Sequence, residues 1–167
     1  MQKRTEILET LAALLIKRKW TVTTAESCTG GGISSAITEL AGSSEYFEQA
    51  FITYSNSAKQ SLVGVKEDTL MTHGAVSEQT VKEMAKGALI KAGANASIAV
   101  SGIAGPGGGT ENKPVGTVWF AFAVRDDNTD NSKIELFSEH RLFDGDRILV
   151  RESAINFSLN QLVSVIS

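Results

Sequence analysis

The 167-residue chain has one cysteine, Cys28, so no disulfide can close within it. Histidine is nearly as scarce. His73 and His140 stand far apart, and no Cys/His cluster has zinc-ligand spacing. This speaks against zinc and leaves carboxylate-bound magnesium open; neither a cofactor nor a metal site is expected. No stretch approaches the roughly 18 to 20 apolar residues of a membrane span. The N-terminal Met1-Gln2-Lys3-Arg4-Thr5-Glu6 lacks a secretory apolar core behind its charges. The expectations are a cytoplasmic location and no membrane partner. The 16 basic residues are scattered among 19 acidic ones for a net charge of -3, a balance that argues against a nucleic-acid partner. There is no internal repeat and no linker. A hydrophobic content of 42% at this length suits one well-buried core, so a single domain over residues 1–167 is expected.

Glycine, by contrast, is plentiful at 15 residues, and it concentrates where chemistry is plausible. The stretch Thr24-Ala25-Glu26-Ser27-Cys28-Thr29-Gly30-Gly31-Gly32 follows a short β-like run at residues 21–23. It precedes Ile33, Ala36, Ile37 and Leu40, which recur at helical spacing. Ser27 and Cys28 therefore fall in a strand-to-helix turn, where the unpaired N–H groups of a helix start face outward. A second such turn lies between a strand over residues 47–55 and a short helix holding Ala58, Lys59, Gln60 and Leu62. Ser55, Asn56 and Ser57 offer its cap. A third follows the small apolar run at residues 96–101 and empties into the glycine-rich loop 102–109.

The remaining pattern is scaffold. An amphipathic helix runs from Lys3 to Arg18 with Ile7, Leu8, Leu11, Leu14 and Leu15 on one stripe. Gly42 stops the helix that begins at Ile33. A short helical piece over residues 66–71 leaves His73 in a loop between helices. A longer helix, capped by Ser77, runs to Ala92 with Val81, Met84, Ala85, Ala88 and Leu89 facing inward. Strands over residues 115–124 and 134–143 form a hairpin around a polar turn at 126–132, and Gly145-Asp146 opens the last helix. Strand–helix alternation followed by a hairpin predicts a three-layer α/β/α domain. Its mixed, mostly parallel sheet has about five strands, one of them antiparallel. Ligands in such sheets bind beyond the carboxyl ends of the parallel strands, where the three turns converge.

A serine hydroxyl needs a base, and a lysine serves when burial lowers its pKa. Lys59 fits better than either histidine as the partner of Ser27. Tyr54 can relay the proton or donate to a leaving group, and the N–H groups of Thr29 and Gly30 can hold an oxyanion. The plain alternatives are a glycine turn that only reverses the chain and a solvated surface lysine. Cys28 competes with Ser27, though an isolated cysteine is more often a small buried hydrophobe. Glu26 either orients Lys59 or caps the adjacent helix. The 102–109 loop lacks the Gly-Lys-Ser/Thr of a nucleoside-triphosphate site. Arg147 is a candidate phosphate anchor, with a surface salt bridge as its commoner use.

Six ordered motifs, the first of them residues 24–32, carry a resemblance. The others are Gly42-Ser43-Ser44, Thr53-Tyr54-Ser55-Asn56, His73-Gly74-Ala75-Val76-Ser77, Ser101-Gly102-Ile103-Ala104-Gly105-Pro106 and Lys113-Pro114-Val115-Gly116-Thr117-Val118. Together the chain resembles the CinA C-terminal domain family from about Lys3 to the last helix. The resemblance implies metal-free hydrolysis of the carboxamide of nicotinamide mononucleotide to nicotinate mononucleotide and ammonia, in pyridine nucleotide recycling. It also implies a catalytic set that falls on Ser27, Tyr54 and Lys59, and a homodimer. Under this reading Thr29, Gly30 and Gly31 supply oxyanion donors and room for a flat ring. Ser101, Gly102 and Gly105, with Arg147, hold ribose and phosphate. Two rivals are a nucleotide-binding regulatory paralogue without turnover and a thiol enzyme using Cys28.

Overall fold

The computed structural model describes residues 3–127, 129 and 131–167. Residues 1 and 2 of the N-terminal stretch, and positions 128 and 130 of the turn expected over 126–132, lie outside them. In chain order the elements are α1 (Arg4–Arg18), β1 (Val22–Glu26), α2 (Gly32–Ile37), a 3-10 turn (Ser43–Glu45), β2 (Phe51–Ile52), α3 (Asn56–Val63), α4 (Glu67–His73), α5 (Glu78–Ala92), β3 (Ala96–Gly102), β4 (Thr117–Val124), β5 (Glu135–Leu142) and α6 (Arg147–Ile166). The sheet order is β2-β1-β3-β4-β5. β1 pairs in parallel with β2 and β3, and β4 runs antiparallel between β3 and β5. This is the mixed five-strand α/β sheet that the alternation predicts. No helix among the described residues is long and apolar enough to cross a membrane.

The connections fix where a ligand can sit. From β1 the chain passes through α2 to one neighbour, β2, then through α3, α4 and α5 back across β1 to its other neighbour, β3. Strand order therefore reverses between β1 and β3, and the crevice beyond their carboxyl ends opens at that switch point.

The two faces of the sheet carry side chains of different size. Ile98, Val100, Phe120 and Phe122 pack with α1, α2 and α6 through Leu11, Leu15, Ile33, Leu159 and Leu162. The opposite face presents Ala25, Ala99, Ala121 and Ala123 to Val81, Met84, Ala85, Ala88 and Leu89 of α5. Side chains alternate across a strand, so the alanines form one small-residue layer and α5 settles close to it. The Ser97 hydroxyl on the same face donates to the Ala85 carbonyl at 2.7 Å. α5 in turn takes α3 closely. A Cβ on Gly87 would overlap the carbonyl of Val63, the last residue of α3.

Several boundaries depart from the sequence pattern. β1 extends through Glu26 rather than ending at residue 23, because pairing on both sides overrides its polar composition. β2 shrinks from the expected 47–55 to two residues. An isolated bridge joins Phe47 to Val22, and between these contacts the Thr23 hydroxyl donates to the Gln49 carbonyl at 2.9 Å in place of a ladder bond. α2 ends at Ile37, short of Leu40. α4 runs on to take His73 into its last turn, not into a loop.

Substituting Gly87→Ala forces α3 and α5 apart. The expected loss is about 1–3 kcal/mol of unfolding free energy, measured as a lower urea midpoint at unchanged m-value.

Candidate active site

Ser27 continues the ladder for one residue, its N–H donating to Val100 O at 3.0 Å, before the chain turns. The turn closes with Gly30 N–H donating to Ser27 O at 2.9 Å and Gly32 N–H to Thr29 O at 3.0 Å. Gly31 precedes α2 at φ +96°, a conformation that favours glycine. The start of α2 receives no cap from Gly31, and the cap comes from Glu26 instead. The fully buried Glu26 carboxylate accepts from Ile33 N–H (2.8 Å), Ser34 N–H (3.0 Å), the Ser34 hydroxyl (2.6 Å) and the Thr29 hydroxyl (2.7 Å). A buried charge satisfied in this way is stable. Of the two roles open to Glu26, the structure shows the cap.

Arg151 of α6 holds the same turn by its opposite polarity. Its Nε donates to Cys28 O and its Nη2 to Thr29 O, both at 3.1 Å. Sequence reasoning missed this residue. The available signal was its position four residues after Arg147, on the same helix face.

Lys59 approaches from α3, whose first turn is capped by the Ser55 hydroxyl accepting from Ala58 N–H at 3.0 Å. Thr53 N–H donates to Glu26 O at 2.7 Å, which fixes the strand-to-helix turn beside β1. Lys59 Nζ is hydrogen-bonded to Ser27 Oγ at 3.0 Å and donates to Thr53 O at 2.8 Å. Lys59 is 1% exposed, and no carboxylate forms an ion pair with it among the described residues. Burial therefore pushes its pKa below the ordinary lysine range. Burial acts oppositely on the neighbouring thiol. Cys28 is pushed up to about 11, more than its backbone hydrogen bond and the nearby Arg151 guanidinium offset, so it stays protonated near neutrality.

These residues floor a cleft of about 310 Å3, within the size of small-molecule sites. Ser27, Tyr54, Lys59, Ser101, Gly102, Gly105 and Arg147 all line it, joined by Asn56 and by Ala75 and Val76 of the His73–Ser77 motif. Thr29, Gly30 and Gly31 do not. Thr29 is buried on Glu26, the Gly30 N–H is engaged within the turn, and Gly31 lies against Ile52. The N–H groups of Cys28 and Thr29 make no hydrogen bond to another residue among those described. Tyr54 is 59% exposed, and its hydroxyl accepts from Arg147 Nη2 at 3.0 Å. Arg147 Nη1 donates to Gly105 O at 2.8 Å. The pair thus bridges the mouth, with no hydrogen bond from Tyr54 to Ser27 or Lys59 among the described residues. No group of three or more His, Cys, Asp or Glu gathers among them either.

A hydroxyl hydrogen-bonded to a buried, carboxylate-free amine is the arrangement of a serine activated by lysine. The CinA C-terminal domain family matches residues 4–166. The chain belongs to that family. Over 157 residues it is 50% identical to the nicotinamide-nucleotide amidohydrolase PncC of Escherichia coli, covering 94% of this chain and 91% of that protein. Its identity to the PncC of Enterobacter agglomerans is 53% over 154 residues, covering 92% and 90%. A crystal structure of a competence or damage-inducible protein from Enterobacter asburiae superposes over the whole of both chains, with a TM-score of 0.91 and 38% identity.

Two outcomes follow from the turn and from its lysine. Glu26→Gln keeps the side-chain volume but turns an amide group toward N–H donors. Unfolding free energy is expected to fall on the order of 2 kcal/mol, read by urea denaturation. For Lys59 the sign follows from its lowered pKa. Between the folded-state value and the ordinary 10.5, the unfolded chain binds more protons than the folded one, so stability rises with pH. Relative to Lys59→Met, the native chain should gain stability as pH rises from the lowered folded-state value toward 10.5. Parallel stability curves for the two proteins would show that Lys59 titrates ordinarily.

Proposed function

We propose that this chain is a nicotinamide-nucleotide amidohydrolase that converts nicotinamide mononucleotide to nicotinate mononucleotide and ammonia through an acyl-enzyme on Ser27. The observation that carries the reading is the 3.0 Å contact between Ser27 Oγ and the buried Nζ of Lys59, in a chain half-identical to proteins of that activity. Neutral Lys59 accepts the Ser27 proton as Oγ attacks the carboxamide carbon. The backbone N–H of Cys28, a residue that lines the cleft, receives the developing oxyanion in place of the Thr29 and Gly30 groups first expected. Loss of ammonia leaves the nicotinoyl ester, and water activated by Lys59 releases the acid.

Arg147, with Tyr54 and the loop through Ser101, Gly102 and Gly105, holds the ribose and phosphate at the cleft mouth. Gly31 leaves room behind the nucleophile turn. Residues 1–167 act as one domain, without metal or cofactor, as a cytoplasmic homodimer in pyridine nucleotide recycling.

The test is ammonia release from nicotinamide mononucleotide. Ser27→Ala is expected to lower kcat by at least ~10⁴-fold while Cys28→Ser retains turnover; the reverse pattern would make the thiol the nucleophile. In the native enzyme kcat/KM should rise with pH along a limb centred below the ordinary lysine range, since the neutral amine is the active form. Substrate binding by calorimetry without any ammonia release would favour a regulatory paralogue instead.

A further inference from the structure

Amide hydrolysis needs a proton on the departing nitrogen, and Tyr54, the expected donor, has its hydroxyl on Arg147 at the cleft mouth. Another hydroxyl is closer to the chemistry. Glu26 pairs with Val100 across β1 and β3, and Ser27 N–H bonds to Val100 O, so Ser27 and Ser101 occupy the same level on neighbouring strands, about 4.8 Å apart. Ala25 and Ala99, two residues earlier on each strand, both face α5. The period of two puts Ser27 and Ser101 on that same face. Both line the cleft with Lys59. Ser101 is 1% exposed, yet its Oγ has no hydrogen-bond partner among the described residues. Ser97, four residues back on the same face, is bonded to Ala85 O. The hydroxyl is not sealed in the interior; it is reached from the cleft that Ser101 lines, where a substrate can bond it.

We propose that Ser101 is a catalytic residue for the leaving nitrogen, an inference that rests on reading the site as a Ser27–Lys59 amidohydrolase. In the bound substrate, Ser101 Oγ accepts a hydrogen bond from the carboxamide NH2. When Ser27 Oγ has bonded to the carbonyl carbon and its proton has passed to Lys59, the nitrogen becomes tetrahedral and gains a lone pair. Ser101 then reverses its role. It donates its proton to that nitrogen and recovers one from the Lys59 ammonium as the C–N bond breaks, its electron pair leaving with ammonia. Lys59 is neutral again, and the Ser101 hydroxyl is restored for the attack of water. A hydroxyl can both accept from the amide and donate to the amine.

The test compares two acyl donors on the same nucleotide. One is nicotinamide mononucleotide, and the other is the trifluoroethyl ester of nicotinate mononucleotide, whose leaving group departs with far less need of a proton. Ammonia release by the native enzyme from the first establishes the underlying reading independently of Ser101. Ser101→Ala should then lower kcat for the amide by ~10²-fold or more and leave ester turnover within a few-fold. Ser101→Thr, which restores a hydroxyl, should recover part of the amide activity. If Ser101→Ala lowers the melting temperature, Ser101→Cys keeps the volume with a poor hydrogen-bonding group and carries the same comparison. Equal losses on amide and ester, or no loss on either, would overturn the assignment.

Discussion

The arrangement of this site depends on an amine that forms no ion pair with a carboxylate among the described residues. Lys59 is buried against Ser27 with only a hydroxyl and a main-chain carbonyl as partners, and an ammonium in that position lacks the compensation that a buried charge requires. The neutral form is thereby favoured, and a neutral amine is a base. A carboxylate bonded to Nζ would have made a buried salt bridge instead, holding the lysine charged and unable to act as a base.

The charged groups around the turn are placed consistently with that requirement. Glu26 and Arg151 each lie within a few residues of Ser27 in sequence or space, yet both are directed elsewhere. Glu26 is saturated by the N–H and hydroxyl donors at the start of α2, and Arg151 by the carbonyls of Cys28 and Thr29. One charge therefore gathers donors and the other gathers acceptors from a single loop. The N–H groups of Cys28 and Thr29, which neither of them uses, make no hydrogen bond to another residue among those described. Such fixed donors need no reorganisation when an oxyanion forms.

Much of the molecule was legible in the chain because it is written locally. Ser55, Ser77 and Asp146 cap helices where their side chains and spacing predict, and the apolar stripes of α1 and α5 are the buried ones. The pairing of Ser27 with Lys59 could be anticipated because each sits in a strand-to-helix turn of adjacent strands. What stayed hidden depends on distant partners. Nothing local distinguishes a Glu26 that caps a helix from one that holds a lysine. The reach of Arg151 across 123 positions to Cys28 follows from how α6 lies on the sheet, and so does the bond between Arg147 and Tyr54. β2 shrank to two residues, with the Thr23 side chain bonded to Gln49 O standing in for part of its ladder.

The alanine face of the sheet sets a tolerance as well as a spacing. On the opposite face a methylene more or less is taken up among phenylalanine, isoleucine and leucine side chains that can repack. Beneath α5 there is almost nothing smaller to retreat to. Any larger side chain at Ala25, Ala99, Ala121 or Ala123 lifts α5, α5 displaces α3 through the Gly87–Val63 contact, and α3 carries Lys59 with it. The separation between Lys59 and Ser27 is in this sense gauged by methyl groups whose own positions lie under the helix layer, outside the cleft. Enlarging a side chain is therefore expected to cost more on one side of this sheet than on the other.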